Sequence, residues 1–203
     1  GFSFVLGRSI FYTETQNDSP FKSRMFKSDQ KLISQSDYEM TQDKDKLKHF
    51  IPRIKKLYTT LNIEKYSKCN PQFNDHFVRL ALETEWMTFK AFEKSGSIDA
   101  VCGYFTNERM MTSPFFGYDL SVSSETGLYR HISTYLLLEA REKQMLLHQS
   151  SGAGHYKKLR RAKENLEYTA VYNKHLSFKR RFCWKVLEKI MSTFGKKFME
   201  NYE

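Results

Sequence analysis

Only three cysteines occur among the 203 residues, Cys69, Cys102 and Cys183, and no two form a CxxC pair. Neither a zinc ribbon nor a disulfide framework is therefore suggested. The usage fits a reducing, cytoplasmic setting, with two of the three cysteines set in apolar patterns as small core residues. Long apolar runs are missing too: none approaches the ~18 residues needed to cross a bilayer. The N-terminus, GFSFVLGRSIFY, lacks the basic region and cleavage site of a signal peptide. The six histidines form neither HxxxH nor HExxH, so no metal is expected. There is no GxxxxGK[ST], no GxGxxG, no RNA-binding signature, no internal repeat and no low-complexity tract.

What the chain does have is aromatic surface and positive charge. Aromatics make up 15% of it, with 17 Phe and 12 Tyr, enough to fill a core or line a groove. Hydrophobic content of 40% beside 28% charged residues fits a folded protein. The formal net charge of +10 favours an anionic partner: a phosphorylated cofactor, a nucleic acid or an anionic membrane.

FSFVL and SIFYTET, separated by Gly7-Arg8, predict a strand hairpin, followed by a polar loop over residues 15–45. A domain over 46–203 is expected to follow this N-terminal piece. Leu47, Phe50, Ile51, Ile54, Leu57, Tyr58 and Leu61 mark one helical face, kinked or restarted near Pro52. Phe73, Phe77, Leu80 and Ala81 mark a second helix. Residues 86–116 read as a meander whose last strand ends, bulges or lies at an edge near Pro114. Then come a helix from Thr126, the strand MLLHQS, the helix GAGHYKKLRRAK, the strand LEYTAVYNKHL and a last helix from Ser177 to Asn201. Alternation of strand and helix at this end requires at least one parallel pairing, so the fold class is a mixed sheet flanked by helices, α/β or α+β.

Two stretches carry candidate chemistry. In LLHQSSGAGHYKKLRR, a strand passes through small residues into a basic helix. Such a turn can bring backbone N–H groups to a phosphate, with Lys157 adding a full charge, or it is a plain turn before a solvated helix. In SPFFGYDLSVSSETGLYR, a strand ends, a loop follows and a helix starts, gathering Tyr118, Asp119, Tyr129 and Arg130. The crevice beyond a strand's carboxyl end is where open α/β sheets bind ligands; the alternative is a capped loop with Asp119 on backbone amides. His148 is a general base or a hydrogen-bonded strand-end residue, and Glu167 faces the same cleft or is a surface charge. On the last helix, Phe178, Phe182, Val186, Ile190 and Phe194 repeat at spacing four among lysines and arginines. This stripe packs on its own domain, or the helix lies on anionic lipid or RNA.

Taken together, IEKYSKCNPQF, MTSPFFGYDLS, GLYR, LLLEAR, LLHQSSGAGHYKKLRRA and LEYTAVYNKHLSFKRRFCW, in this order, resemble the GNAT-fold acyltransferase-like proteins related to the Fem-type peptidoglycan aminoacyltransferases. The likeness covers about residues 57–187. It departs at Tyr156-Lys157, where Phe-Lys is common, at Ala162, where glycine is usual, and at GLYRHIS, which does not match the ordinary GNAT phosphate loop. The resemblance implies a GNAT-like, mainly antiparallel mixed sheet and an N-acyltransferase moving an acyl or aminoacyl group from acyl-CoA or a charged tRNA to an amine. It implies His148 or Glu167 as base, Tyr129 as acid, and Tyr118 and Asp119 near the substrate. Donor phosphate would be held by Arg130, Lys157 and the turn Ser151, Gly152, Ala153, Gly154. It further implies a C-terminal unit preceded by a GNAT-like domain of the same protein. The alternatives are a basic binding module for RNA or anionic membrane, and a degenerate unit that scaffolds its neighbour.

Overall fold

The computed structural model describes residues 1–200, with side chains placed through residue 195; the expected helix end at Asn201 lies outside the described residues. In chain order the elements are β1 (Phe2–Glu14), α1 (Ser19–Lys22), α2 (Arg24–Ser34), β2 (Glu39–Thr41), α3 (Lys44–His49) and α4 (Ile51–Thr59). A π-helical turn (Thr60–Tyr66) leads to α5 (Asp75–Thr84), β3 (Thr88–Lys94), β4 (Ser97–Asn107) and β5 (Met110–Tyr118). A 3-10 turn (Ser124–Thr126), α6 (Leu128–Glu142), β6 (Leu146–His148), α7 (Gly154–Leu159), β7 (Lys163–Tyr172) and α8 (Phe178–Glu200) complete it.

Two compact units divide the chain, one of Gly1–Tyr12 with Gln149–Glu203, the other Thr13–His148. In the second unit β2, β3, β4 and β5 pair antiparallel in sequence order, and β6 joins β5 in parallel. Alternation along the strands sends side chains to two buried faces. Phe89, Ala91, Val101 and Phe115 meet Leu47, Ile51, Ile54, Leu57, Val78 and Leu82 from α3, α4 and α5. Phe92, Ala100, Cys102 and Met111 meet Phe21, Phe26, Leu128, Ile132 and Leu136 from α1, α2 and α6. Both sheet faces are thus covered, and even Lys90 of β3 is 5% exposed. The expected bulge at Pro114 is present, since the β4–β5 register shifts between Gly103 and Phe105, opposite Ser113-Pro114.

Local chemistry explains most boundaries. Ser23 accepts from the Phe26 N–H to start α2, Asp43 from Asp45 and Lys46 to start α3, and Asn74 from Phe77 to start α5. Pro52 sits in the first turn of α4, where its missing N–H costs nothing, and the expected kink is a helix break at Phe50. The polar stretch 15–45 is not the expected loop. Two of its three aromatics, Phe21 and Phe26, are buried edge to face at 5.2 Å and anchor α1 and α2.

In the first unit Phe2–Tyr12 pairs antiparallel with Lys163–Tyr172. The expected N-terminal hairpin is instead one continuous strand. Gly7-Arg8 forms an irregularity in the ladder between Leu6 and Arg8, and a Cβ on Gly7 would lie 3.3 Å from the Glu167 carbonyl oxygen. Of the cysteines only Cys102 is buried; Cys69 and Cys183 are exposed. The apolar stripe of α8 is also exposed, correcting the expectation that it packs on its own domain.

Among the glycines of the second unit, Gly117 of β5 comes closest to another backbone, since an added Cβ would meet Leu57 C and Tyr58 N of α4 at 2.6 Å. Backbone cannot swing away as a side-chain tip can, so Gly117→Ala should push α4 off the sheet. We expect a loss of about 1–3 kcal/mol, read as a lower urea midpoint; an unchanged midpoint would show that α4 does not rest on this contact.

Candidate active site at the end of the parallel strand pair

The parallel pairing of β5 with β6 is short: Met110 opposes Leu146, Met111 opposes Leu147 and Thr112 opposes His148. There β6 ends, while β5 continues through Ser113–Tyr118. Two strands that part company leave main-chain groups of the longer one without a ladder partner on that side. One of these, the Phe116 carbonyl, accepts from Asn62 Nδ2 at 2.6 Å. The π-helical turn brings Asn62 there, and the same amide also donates to the Tyr58 carbonyl at 3.1 Å. Single π-helical turns are common at functional sites.

Beyond β5 the chain loops and enters α6 through Gly127, which takes the left-handed conformation (φ 69°) and supplies no side-chain cap. Gly127 thus gives the first turn of this 15-residue helix no capping side chain at the end next to β5. The wall beside it is aromatic. The Phe116 ring lies 5.3 Å from that of Tyr129 and 6.1 Å from that of Tyr118, and Tyr118 and Tyr129 are 6.3 Å apart. Burial pushes the Tyr118 phenol pKa up, aided by Tyr66. His148, half-buried, closes β6 at the point where the strands separate.

Asp119 and Arg130 are held by neighbours. Arg53 of α4 donates to Asp119 Oδ2 at 2.6 Å, to Asp99 Oδ1 at 3.0 Å and to the Ile98 carbonyl at 2.7 Å. Asp119 Oδ1 accepts from the Ser121 N–H and hydroxyl at 2.8 and 2.6 Å. Burial would raise this carboxyl, but the bonds from Ser121 and Arg53 outweigh it and hold the pKa down at about 2. Asp119 thus has the capped-loop geometry that was the alternative to substrate contact. Arg130 binds the fully buried carboxylate of Asp29 and, at 3.1 Å, the Ser28 hydroxyl, both on α2. It also lines a cleft of about 520 Å³ with Ser28, Lys31, Tyr38 and Lys94. A second cleft, about 300 Å³, is bordered by Gln42, Lys44, Met87 and Thr88. Neither is lined by His148, Tyr118 or Tyr129.

A polar cluster inside the second unit escaped sequence reasoning. Glu139 accepts from the hydroxyls of Tyr104 and Tyr135 at 2.6 and 2.5 Å, and Lys143 reaches it at 3.2 Å. The Lys90 ammonium bonds Gln42 and lies 5.4 Å above the Tyr135 ring. Beside them burial pushes the Cys102 thiol pKa up to about 12, leaving it unreactive. Nearby His131 is 1% exposed between the rings of Tyr38 and Phe92, and burial, aided by Arg130, pushes its pKa down. The signal available was the i, i+4 pair Tyr135–Glu139 on α6.

In the other unit, the small-residue turn is built around Lys157. Its ammonium, 5% exposed, donates to the carbonyls of Gln149 (2.7 Å), Ser150 (3.3 Å) and Ser151 (2.9 Å). Ser150, Gly152 and Ala153 take positive φ values of 57°, 75° and 50°, which turn those carbonyls toward it. The expected phosphate contact is thus an internal clamp on the turn's oxygens. α7 has six residues and no side-chain cap. Arg160 also folds inward, 3.3 Å above the Tyr156 ring and bonded to the Tyr156 carbonyl at 2.9 Å. Glu167 forms an ion pair at 2.5 Å with Arg8 on the adjacent strand, the surface-charge alternative for this residue.

No protein-family model matches this chain, and no curated protein does. Among solved structures, it resembles the C-terminal domain of a putative lysylphosphatidylglycerol synthetase from Agrobacterium fabrum (TM-score 0.63, 9% identity, covering 94% of this chain and 67% of that one). It resembles FemX with TM-score 0.60 and 6% identity, over 79% of this chain and 60% of that one. A conserved protein of unknown function from Bacteroides thetaiotaomicron matches with TM-score 0.58 and 17% identity, over 83% and 61%. The chain has the expected mainly antiparallel mixed sheet flanked by helices, a fold similar to that of FemX and of the synthetase domain. It spans about three-fifths to two-thirds of the length of these structures. Among the described residues no helix is long and apolar enough to cross a membrane.

Two outcomes follow from the side-chain geometry. Lys157→Met removes the ammonium and strands the turn carbonyls, so we expect a loss of about 1–3 kcal/mol in thermal or urea unfolding; full stability would show the turn needs no clamp. Asp119 has a folded pKa below its unfolded one, so its contribution is complete above the unfolded pKa and is lost as pH falls from about 4 to about 2. In unfolding curves over that window, wild type should lose on the order of 1–2 kcal/mol more than Asp119→Asn; parallel curves would contradict the Arg53 linkage.

Proposed function

We propose that this chain is a GNAT-like N-acyltransferase unit, moving an acyl or aminoacyl group from an activated donor to an amine at the open end of the β5–β6 pair. The supporting observation is the separation of the two strands after Thr112 and His148, which exposes the edge of β5 beside the uncapped start of α6 and the wall of Phe116, Tyr118 and Tyr129. The fold neighbours support transferase chemistry at the level of architecture.

His148 is the general base, directly or through a water. It takes the proton from the attacking amine as the new C–N bond forms at the donor carbonyl. Backbone N–H groups on the β5 edge stabilise the oxygen that becomes negative. The C–S or C–O bond to the donor then breaks, and Tyr129 supplies the proton that the leaving group takes up. Tyr118 packs against the acceptor, while Asp119 fixes the loop through Arg53. The first-turn amides of α6 receive the anionic part of the donor, acyl-CoA or a charged tRNA, with Arg130 close behind them in sequence. This scheme places the proton transfers within Thr13–His148 and uses neither Glu167 nor Lys157 as an acid or base.

The test is donor binding followed by transfer. A thermal shift should appear with an acyl-CoA or with an aminoacyl-tRNA. His148→Gln should cut transfer about a hundredfold or more while the donor-induced shift persists. Absence of a shift with both donors, or unaltered transfer in His148→Gln, refutes the proposal.

A further inference from the structure

α8 is amphipathic in the opposite sense to a helix that packs by its apolar stripe. Trp184, Glu188, Met191 and Gly195 form its inner face. Glu188 accepts from the Phe4 N–H at 3.0 Å, Lys185 reaches the Phe2 carbonyl at 3.3 Å, and a Cβ on Gly195 would lie 3.0 Å from Leu6 Cδ2. At ~100° per residue, the stripe of Phe178, Phe182, Val186, Ile190 and Phe194 is centred roughly 170° from that face. The exposures agree: 74%, 58%, 40%, 49% and 64%. An exposed apolar stripe of this length on one helix face marks a place of contact.

The charges select the occupant. Lys179, Arg180, Arg181 and Lys189 are exposed on the same helix, Lys185 pairs with Glu188 at 2.6 Å, and Glu188, the one acidic residue among positions 178–195, is turned to the Phe4 amide. A second copy meeting this face by two-fold symmetry would set cation against cation. Single-stranded RNA would satisfy the charges, but Val186 and Ile190 offer no ring on which a base stacks. An anionic bilayer satisfies both features, taking the stripe into the headgroup–acyl boundary and the ammonium and guanidinium groups onto lipid phosphates.

We infer that α8 docks this protein, lying flat, on anionic membrane surfaces through Phe178, Phe182, Val186, Ile190 and Phe194. The surface is independent of the transfer chemistry. The full chain is tested by sedimentation with vesicles of phosphatidylglycerol mixed with phosphatidylcholine, against vesicles of phosphatidylcholine alone. Binding should occur to the mixed vesicles, weaken with added salt, and be slight on the neutral ones. Phe182→Ser combined with Ile190→Ser should weaken it at least about tenfold, and Lys189→Gln about fivefold. Because these side chains are exposed, the melting temperature should not move. No binding to mixed vesicles at low salt, binding unaffected by the stripe substitutions, or binding to single-stranded RNA that the stripe substitutions abolish while vesicle binding persists would each overturn the inference. A concentration-dependent dimer that disappears with the stripe substitutions, again with vesicle binding intact, would overturn it in favour of a second copy.

Discussion

A parallel pair of strands cannot be closed by a tight turn; the chain must leave the sheet, cross over and return. β5 and β6 meet that demand with α6, and they pair only at Met110–Thr112 and Leu146–His148. Much of the second unit depends on this brief pairing. It sets α6 along one sheet face, where Leu128, Ile132, Leu136 and Leu137 complete a core. It brings the helix start to the end of β5 from which the loop departs. And because β6 stops while β5 continues, it creates an open strand edge whose main-chain groups need partners.

A formal charge of +10 suggests a chain that displays its cations, yet several important ones are turned inward. Arg53 joins Asp99, Asp119 and the Ile98 carbonyl. Arg130 binds the buried Asp29, Lys157 the carbonyls of its own turn, and Lys90 the amide of Gln42. A buried cation is tolerable only when partners replace its water, and each of these groups has found them. The consequence is a division between cations that fix loops and strand ends and the exposed cations of α8, which share that helix with an exposed apolar stripe.

Strand and helix alternation from residue 86 onward was legible because both periods were clean. Leu128, Ile132 and Leu136 repeat at helical spacing, and Ser95-Gly96 and Asn107-Glu108 mark turns where Ser95, Gly96 and Glu108 do take positive φ. The N-terminal region was not legible in the same way. Gly7-Arg8 looks like a hairpin turn, but pairing with Glu167 makes it an irregularity within one strand. The stretch 15–45 is polar, and its helices depend on Phe21 and Phe26 finding the α6 side of the sheet, a contact over a hundred residues away in sequence. At the candidate site, the sequence brought together Tyr118, Asp119, Tyr129, Arg130 and His148 as chemistry-bearing residues near strand ends. It did not reveal that Asp119 and Arg130 are held by Arg53 and Asp29, or that Asn62 reaches β5.

By itself the sequence determined the mixed architecture, the parallel crossover, the turn between β6 and α7, and the amphipathic character of the last helix, because each follows from periodicity and from what glycine, proline and small polar residues permit over a few positions. Tertiary structure alone decided which way each charged or apolar face points: Lys157 and Lys90 inward, the stripe of α8 outward, and His148 at the mouth of a parted strand pair. Those directions depend on which distant segment provides a carbonyl, a carboxylate or a ring, and no local pattern in the chain records that choice.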